Sequence, residues 1–591
     1  MTIQQIIIFG TLILTLALFV SGKIRYDVVA IIALLIVVLF GLIPVDKAFI
    51  GFSNPAVITV AAVLVLSRGL QNSGIVDLIG QWLSKIKGGV TIQLFILTSI
   101  VAVLSAFMNN VGALALLLPV AIQLARKKQV SPSVFLMPIA FASLLGGMTT
   151  LIGTPPNIIA SSFRQHAAGE PFQMFDFSPV GVGVSLAGIL FISILGWRLI
   201  PKRKGRVSSS ELFDIEKYVT EVRVTATSKL HGKPLREFHK YVEQDVNIIG
   251  LIREGEKRLA PSPQTIFRDN DVLILQIDTS NLENLVASTG IEMVGSGKLQ
   301  KKDIESNEIG LIEAVITPNS LLVGGTARSL DLRKRYGVNL LAVARQGTRL
   351  RASLDQIRFR SGDVLMLQSP VDIQKDVLSV LGCLPLAQRN LKIGQTRRIA
   401  LSLIIFITSL IVAAVGLLPV QIAFLIAVVL MIISKLVTLR EAYESIDLSI
   451  VILLGAMIPV GEALETTGGA QLIANSILHF GKNLNPEWTL VIVLVVTMFL
   501  SDLVNNAAAV VLMAPIGIGV AQGLGVSIDP FLLAIAIGAS CAFLTPIGHQ
   551  SNTLVMGPGG YKFGDYWRMG LLLEIIVVLV AIPLVTFFWK F

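Results

Sequence analysis

Residues 107–119 read FMNNVGALALLLP, and residues 503–515 read LVNNAAAVVLMAP. Each stretch has an Asn pair between two apolar arms, and a proline follows nine residues after the second Asn. Polar side chains inside the apolar runs of a membrane protein are costly, so a repeated pair indicates a function. We interpret each pair as the tip of a helical hairpin, and the repetition predicts a chain built from two similar membrane units.

The composition supports a membrane location for most of the chain. Of 591 residues, 53% are hydrophobic and 15% are charged, and the mean hydropathy is +0.77. A soluble globular protein has about 25% charged residues, so a soluble enzyme and a disordered chain are excluded. The sequence predicts an all-α polytopic membrane protein in a lipid bilayer. Apolar runs of the length that a bilayer core requires lie at 4–20, 27–43, 55–70, 179–199, 398–416, 420–434 and 570–589.

The net charge of +10 does not indicate a nucleic-acid partner. The Lys and Arg residues lie in short loops and in a central insert instead of following one face, and membrane orientation explains them better. The two cysteines, Cys383 and Cys541, support neither a disulfide framework nor a Cys-rich zinc site. The sequence has no Walker A motif and no hydrolytic or redox constellation, so we expect neither an ATP-driven pump nor an enzyme.

The two membrane units share one register. Residues 46–49 (Asp-Lys-Ala-Phe) match residues 440–443 (Arg-Glu-Ala-Tyr) with an offset of 394, and Gly74 matches Gly468 with the same offset. A common register over this length indicates an internal repeat.

We therefore assign residues 1–200 and 398–591 to two copies of one membrane unit. The Lys and Arg pattern predicts an N-terminus outside the cell and five crossings in each unit. One further segment in each unit, at 91–125 and 488–522, is expected to be re-entrant. An odd number of crossings gives two inverted-topology repeats, an architecture of secondary transporters with a site at the repeat interface.

A soluble insert separates the two units. Its strand-like runs are short, β-branched and punctuated by glycine and charges, which predicts an α+β insert. Residues 246–253 match residues 338–345 with an offset of 92 (338 − 246), and a second matched stretch has the same offset. The insert is therefore expected to contain two tandem modules, at 208–298 and 305–388. The flanking Lys and Arg residues predict that it lies in the cytoplasm.

A second repeated motif interrupts an apolar stretch in each unit. Residues 149–157 read TTLIGTPPN, and residues 545–553 read TPIGHQSNT. Proline and glycine break a membrane helix, which is tolerated where the freed backbone groups line a cavity. Two broken helices and two hairpin tips would supply helix ends with Asn and Thr oxygens, which suit Na⁺ beside an oxyanion. The candidate substrate- and sodium-binding residues are Asn109, Asn110, Thr150, Gly153, Thr154, Asn157, Asn505, Asn506, Thr545, Gly548, Ser551, Asn552 and Thr553.

These motifs make the whole chain resemble the divalent-anion/sodium symporter family of the ion transporter superfamily. The insert resembles two TrkA-C (RCK C-terminal) modules, and the branch with such modules includes sodium/sulfate symporters. The resemblance implies Na⁺ near Asn110 and Asn506 as the coupling ion, with no other cofactor. It also implies a homodimeric scaffold with elevator-like motion, a small regulatory ligand at the TrkA-C modules, and a place in the bacterial plasma membrane.

The chain departs from the family motif at the hairpin tips. The family's Ser-Asn-Thr triplets read Asn109-Asn110-Val111 and Asn505-Asn506-Ala507 here, so the hydroxyl groups that dicarboxylate-binding relatives use are missing. This difference favours a compact oxyanion, and we expect Na⁺-coupled uptake of sulfate. A dicarboxylate or citrate symporter and a channel or sensor built around the modules are alternatives. A Na⁺/H⁺ antiporter is another, with Asp502 as a proton or cation ligand.

Overall fold

The structure is a computed structural model. It describes residues 1–21, 24–75, 88–201, 219–240, 247–254, 256–259, 262, 264–276, 285–286, 288–293, 309–318, 320–345, 348–350, 354, 356–370, 374–386, 396–469, 471–472 and 485–591. The expected module boundaries at 208, 298, 305 and 388 lie outside these residues, and they stay predictions.

The first membrane half is built from helices joined by turns and short loops. Its helices are apolar on most of their surface, as the composition predicts. They are α1 (Ile3–Ser21), α2 (Tyr26–Leu39), α3 (Pro55–Asn72), α4 (Val90–Phe107), α5 (Asn110–Lys127), α6 (Ser133–Gly147), α7 (Pro155–Ala168) and α8 (Ser178–Phe191). Helix α8 continues through a π-helical turn at Ile192–Gly196 to Leu199.

The insert contains two five-stranded antiparallel sheets. The first comprises β1 (Val219–Arg223), β2 (Asn247–Arg253), β3 (Glu256–Leu259), β4 (Val272–Gln276) and β5 (Glu292–Met293). The second comprises β6 (Ile309–Ile316), β7 (Asn339–Arg345), β8 (Thr348–Arg349), β9 (Val364–Pro370) and β10 (Cys383–Pro385). Three short helices accompany the second sheet, α9 (Ala327–Leu330), α10 (Leu332–Tyr336) and α11 (Gln374–Leu381).

The two sheets have the same strand order. The first runs β3-β2-β4-β1-β5 and the second runs β8-β7-β9-β6-β10, so each strand has a counterpart in the other sheet. Strands β2 and β7 each carry a bulge two residues from their start. A buried carboxylate binds the last Arg of each of these strands, as the pairs Arg253–Asp271 and Arg345–Asp363. The offset of 92 residues therefore relates matching elements.

The second membrane half repeats the order of the first. Its helices are α12 (Thr396–Ala414), α13 (Val420–Ile433), α14 (Leu439–Ser445), α15 (Leu448–Thr466), α16 (Pro486–Leu503), α17 (Asn506–Leu524), α18 (Asp529–Ala539), α19 (Gln550–Gly559) and α20 (Trp567–Phe588). Both bounds of α13 lie 394 residues after those of α2. The repeated Asn pairs start α5 and α17, and the repeated breaks lie between α6 and α7 and between α18 and α19.

The two halves pack against each other by reciprocal contacts. Helix α2 contacts α15 while α13 contacts α3, and α6 contacts α19 while α18 contacts α7. Nine helical segments in the described residues are long and apolar enough to cross a bilayer, which supports a multi-pass membrane protein. Each hairpin arm is among them, so the re-entrant character of the hairpins stays a prediction, as does the inverted orientation of the halves.

One face of the second sheet belongs to the membrane core. Leu311, Val315, Ala342, Val364 and Met366 are buried in the same apolar cluster as the membrane helices. The other face has a separate core beneath the short helices of the module. The insert is therefore packed onto the membrane part through its second sheet.

Candidate functional site

The first Asn of each pair closes a hairpin tip. The Asn109 side chain accepts a hydrogen bond from the backbone N–H of Val111 at 3.1 Å, and the Asn505 side chain accepts one from Ala507 at 2.9 Å. Asn is among the residues that best satisfy the free N–H groups at a helix start. The tips predicted from the sequence are therefore helix caps, and their amide oxygens are occupied by the backbone.

The second Asn of the first pair contacts the break of the other half. His549 Nδ1 accepts a hydrogen bond from the backbone N–H of Ser551 at 3.0 Å, so the neutral ring carries its hydrogen on Nε2. This Nε2 lies 3.3 Å from the Asn110 amide, which therefore presents its oxygen to the ring. Its nitrogen then donates to the carbonyl oxygens of Ser143 at 3.0 Å and Gly153 at 3.3 Å. Asn110 thus joins the first hairpin to both broken helices.

Hydroxyl groups fasten each hairpin to the helix that precedes the break of its own half. Ser105 Oγ donates to the carbonyl of Ser143 at 2.6 Å, and Ser501 Oγ donates to the carbonyl of Ala539 at 2.5 Å. These two bonds are equivalent in the two halves, with an offset of 396 (501 − 105). They are buried, so they fix how hairpin and break are placed.

The predicted threonines make a second equivalent pair of ties. Thr150 Oγ1 donates to the carbonyl of Ala106, and Thr545 Oγ1 donates to the carbonyl of Asp502 at 2.7 Å. Their hydroxyl hydrogens are therefore used to hold the breaks against the hairpins. Thr553 Oγ1, in α19, likewise donates to the carbonyl of Pro546 in the second break at 2.6 Å.

The glycines of the breaks allow a very close approach of backbone. A Cβ atom on Gly153 would lie 2.3 Å from the carbonyl oxygen of Gly147, and one on Gly548 would lie 2.5 Å from that of Ser501. Real Cβ atoms do not approach oxygen so closely, so only glycine fits at either position. The predicted glycines therefore shape the breaks without offering a side chain.

Each break binds the amide nitrogen of a buried Asn whose amide oxygen is unpaired. Asn157 Nδ2 donates to the carbonyls of Gly147 at 3.3 Å and Thr150 at 2.8 Å. Asn552 Nδ2 donates to those of Ala542 at 2.7 Å and Thr545 at 3.1 Å. Both side chains are fully buried, and the Oδ1 atom of each has no hydrogen-bond partner among the described residues. Thr154 Oγ1 is buried and unpaired in the same way.

Two other predicted residues, Asn506 and Ser551, are also buried. Asn506 is buried, and its oxygen accepts from the backbone N–H of Ala507 at 2.9 Å. Ser551 is fully buried, and its Oγ lies 3.4 Å from Ser143 Oγ. In the described part of the chain, no group of three or more His, Cys, Asp or Glu residues could hold a metal ion.

Two features of this region are not predicted from the sequence. The serines that tie hairpin to break were indistinguishable from other small residues in apolar helices. Glu574, in α20, is buried beside Asp502. A single carboxyl group in the apolar run at 570–589 was the signal that could have identified it.

Comparison with known proteins assigns this chain to a family. A family model described as a citrate transporter matches residues 16–538 and 485–591, which together include both hairpins and both breaks. The chain belongs to the citrate transporter family. It is therefore a membrane transporter by family, and the nine apolar segments agree with that assignment.

Individual relatives of known function and of unknown function match different shares of this chain. An uncharacterized transporter of Synechocystis is 31% identical over 97% of this chain and 95% of its own length. An uncharacterized transporter of Escherichia coli is 28% identical over the full length of both chains. The sodium/sulfate cotransporter 2 of Chlamydomonas reinhardtii is 26% identical over 56% of this chain and 39% of its own length.

Proposed function

We propose that this protein is a secondary active transporter that couples Na⁺ influx to the uptake of a divalent oxyanion, with sulfate as the first candidate. The observation that carries the proposal is the equivalent pair of unpaired amide oxygens, Asn157 Oδ1 and Asn552 Oδ1. Both hydrogens of each amide are already donated to carbonyls, so a donor cannot be gained by turning the amide. A buried acceptor without a donor is costly, and a hard cation that prefers oxygen would satisfy it.

Two equivalent oxygens support two cation sites, one in each half. Thr154 Oγ1 is a further ligand candidate in the first half. At a membrane potential of 100 mV, each net charge moved supplies about 2.3 kcal/mol, so inward movement of a dianion is assisted only by more than two Na⁺. The proposal therefore requires at least one cation beyond the two that these oxygens would bind.

The anion would bind at the helix starts beside the breaks. Helices α7 and α19 begin at Pro155 and Gln550, directly after the two breaks, and α5 and α17 begin at the hairpin tips. The free N–H groups and the positive dipole end of a helix start favour an anion. The absence of hydroxyl groups at the tips and the similarity to a sodium/sulfate cotransporter support sulfate.

The proposal includes regulation by the insert, whose two modules we propose to be of the TrkA-C type. The turn at Gly362 in the second module packs on α19, and a Cβ on Gly557 would lie only 1.7 Å from the Gly362 carbonyl oxygen. Arg126, at the end of α5, lies 3.6 Å from Glu313 of β6. Because α5 and α19 start at the candidate site, a small ligand that shifts the second module would act on both.

We propose a homodimer in the bacterial plasma membrane, with the insert in the cytoplasm and elevator-like movement of the hairpins past a fixed scaffold. Helices α1, α2, α12 and α13 expose apolar side chains that suit lipid or a second copy. A measurement of mass in detergent would test the homodimer.

Uptake of radiolabelled sulfate into proteoliposomes tests the transport proposal. An inward Na⁺ gradient should drive accumulation, K⁺ should not replace Na⁺, and unlabelled molybdate should compete better than succinate, citrate or phosphate. Asn157→Ala and Asn552→Ala should each raise the Na⁺ concentration for half-maximal uptake by about tenfold, the equivalent of about 1.4 kcal/mol of lost ligand interaction. Uptake of sulfate that is independent of Na⁺ would contradict the proposal.

Asn72→Ala is the matched control variant. Asn72, in α3, donates to the Leu436 carbonyl at 3.3 Å and to Glu441 at 3.0 Å, far from the breaks in sequence. This substitution removes the same side-chain amide as Asn157→Ala and Asn552→Ala. It should therefore lower the amount of folded protein without changing the Na⁺ dependence of uptake. An equal shift in this variant would show that the effect at the breaks is not specific.

A Na⁺-coupled dicarboxylate or citrate symporter is the second candidate, and the match to a citrate transporter family favours it. Citrate would then be accumulated in the same assay, and sulfate would not compete. A Na⁺/H⁺ antiporter would instead exchange the two cations without any anion. Na⁺-driven proton movement in anion-free vesicles would identify it.

A further inference from the structure

The phenol hydroxyl of Tyr566 binds the backbone of Asn552. Tyr566 directly precedes α20 and is fully buried, and its hydroxyl donates to the Asn552 carbonyl at 2.7 Å. Asn552 lies in the first turn of α19 and carries one of the two unpaired amide oxygens. A side chain from the start of the next helix is therefore fastened to the turn that presents a candidate cation ligand.

Every other polar group of Asn552 is bonded. Its backbone N–H donates to the His549 carbonyl at 3.1 Å, and its Nδ2 donates to the carbonyls of Ala542 at 2.7 Å and Thr545 at 3.1 Å. All three of these carbonyls belong to the second break. The bond from Tyr566 is the one that comes from outside the break and α19. Because these bonds fix the backbone and the amide plane, they also set the direction of Oδ1.

The Tyr566 ring is held by aromatic neighbours. Its centroid lies 5.7 Å from that of Tyr561, edge to face, and 6.3 Å from that of Phe141 in α6. Both neighbours are fully buried. The Tyr561 hydroxyl donates to the Ser133 carbonyl and accepts from the Met137 N–H at 2.8 Å, so this ring is anchored to α6. A buried ring packed in this way has little freedom to turn, so the Tyr566 hydroxyl is a fixed donor.

The first half restrains the equivalent turn in a different way. Helix α7 begins with Pro155 and Pro156, and Asn157 is its third residue. Helix α19 begins with Gln550 and Ser551, and its third residue is Asn552. A proline ring fixes φ at about −65°, which suits the first turn of a helix and makes that turn rigid. The start of α19 lacks this restraint.

The hydroxyl group is likewise particular to the second half. The register of 394 residues places Phe172 at the position of Tyr566 (566 − 394), and phenylalanine has no hydroxyl. One half thus has two prolines at the helix start and no phenol, and the other has the phenol and no proline there. The two arrangements do the same task, which is to hold the first turn that carries the unpaired oxygen.

We propose that Tyr566 is a positioning residue for the cation site of the second half. Its hydroxyl holds the first turn of α19 so that Asn552 Oδ1 keeps the direction in which it binds Na⁺. The ligand is then in place before the ion arrives, and binding does not have to order it. This inference rests on the proposed function, because it takes Asn552 Oδ1 as a Na⁺ ligand.

Stabilisation of the purified full-length protein by Na⁺ tests the inference without sulfate or any other transported anion. NaCl replaces choline chloride at constant ionic strength, and melting temperatures give the Na⁺ concentration for half-maximal stabilisation. Tyr566→Phe removes the hydroxyl but keeps the ring, and it should raise this concentration about fivefold. Tyr561→Phe, the matched control, removes a buried phenol hydroxyl that binds α6. It should lower the melting temperature and leave the Na⁺ concentration unchanged.

Two combined variants separate positioning from a general loss of stability. Because Tyr566 acts through Asn552, Tyr566→Phe should add no shift when Asn552→Ala is already present. Gln550→Pro should restore the Na⁺ affinity of Tyr566→Phe, since it supplies the restraint that α7 has. The backbone suits proline here, because the preceding His549 has φ −142° and ψ 140°, close to the −149° and 146° of Thr154 before the prolines of α7.

The outcomes distinguish this role of Tyr566 from the transport proposal. A shift for Asn552→Ala with none for Tyr566→Phe would overturn the positioning role, as would shifts that add in the double variant. If Na⁺ does not stabilise the wild type, the cation site fails and the positioning role fails with it. If Na⁺ binds as expected but vesicles accumulate no anion, the positioning role stands and the transport proposal fails.

Discussion

At the scale of single residues, His549 performs two roles with its two ring nitrogens. Nδ1 caps α19 through Ser551, and Nε2 reaches Asn110 of the other half. His549→Asn keeps an oxygen that can cap the helix, whereas His549→Ala loses both roles. We expect the Ala variant to be less stable than the Asn variant by about 1 kcal/mol, the typical value of a helix cap.

The apparent melting temperature of each purified variant in detergent measures this difference. Both variants should lose the contact with Asn110, so both should transport more slowly than the wild type. Thr154 is the matched position of the first half and makes no side-chain cap, so Thr154→Ala should leave stability almost unchanged. Equal melting temperatures for the Asn and Ala variants would contradict a capping role.

The Arg–Asp pairs of the insert permit a second prediction at this scale. Arg345 binds both oxygens of Asp363, at 2.7 and 2.8 Å, and these hydrogen bonds raise the pKa of Arg345, so its guanidinium stays charged. The Asp363 side chain is buried, and it also accepts from the backbone N–H of Arg360 at 2.8 Å. Asp363→Asn should therefore destabilise the second module by about 2 kcal/mol, as expected for hydrogen bonds to a charged group.

Hydrogen exchange of the amides in β7 and β9 measures this loss in the full-length protein. Asp271→Asn is the matched variant, because Arg253 binds Asp271 with the same geometry in the first module. It should accelerate exchange in β2 and β4 and leave the second sheet protected. Accelerated exchange in both sheets for either variant would contradict two separately folded modules.

At the scale of elements, the contact between the insert and α19 depends on two glycines. Gly557→Ala would place a methyl group against the Gly362 carbonyl, whereas alanine in a helix is otherwise better than glycine by about 1 kcal/mol. We expect the clash to displace the turn of the second module, at a cost of about 1–3 kcal/mol. Faster hydrogen exchange at residues 359–363 would report the displacement, together with an altered transport rate.

Gly564→Ala is the control for this contact. Gly564 follows α19, and a Cβ there would meet nothing within 4 Å. This variant should therefore keep the exchange rates of the turn. If Gly557→Ala also leaves them unchanged, the second module does not depend on α19 for its position, and regulation through this contact is excluded.

The elements that the sequence predicts are those with local signals. The starts of α2 and α13 follow from the apolar runs, although α2 ends at Leu39, four residues before its run does, and the hairpin tips and breaks follow from Asn, Gly and Pro at matched positions. Asp502 and Glu574, which are buried beside each other, lie 72 positions apart in the chain (574 − 502). Gly362 and Gly557, which are in contact, lie 195 apart (557 − 362). Neither pair has a local signal, since tertiary packing alone brings the partners together.

At the scale of the whole molecule, the two halves are similar in framework and different in chemistry. Reciprocal helix contacts and equivalent serine and threonine ties relate them. Asp502, Glu574 and His549 occur in the second half, and the insert packs on that half's broken helix. Since a symmetric framework places equivalent loops at equivalent positions, these differences let the two halves respond differently to ions and to the insert.

The inverted orientation of the halves can be tested through such equivalent loops. Val45 and Leu439 are 394 residues apart and have exposed fractions of 75% and 59%. Both native cysteines are buried, and burial raises the pKa of Cys383 to about 12, so the wild type should not react with a membrane-impermeant maleimide. Inverted repeats place Val45→Cys outside the cell and Leu439→Cys in the cytoplasm. Intact cells should therefore label the first variant alone, and inside-out vesicles the second alone. Labelling of both from one side would mean that the halves are parallel, so the two amide oxygens would not belong to oppositely oriented helices.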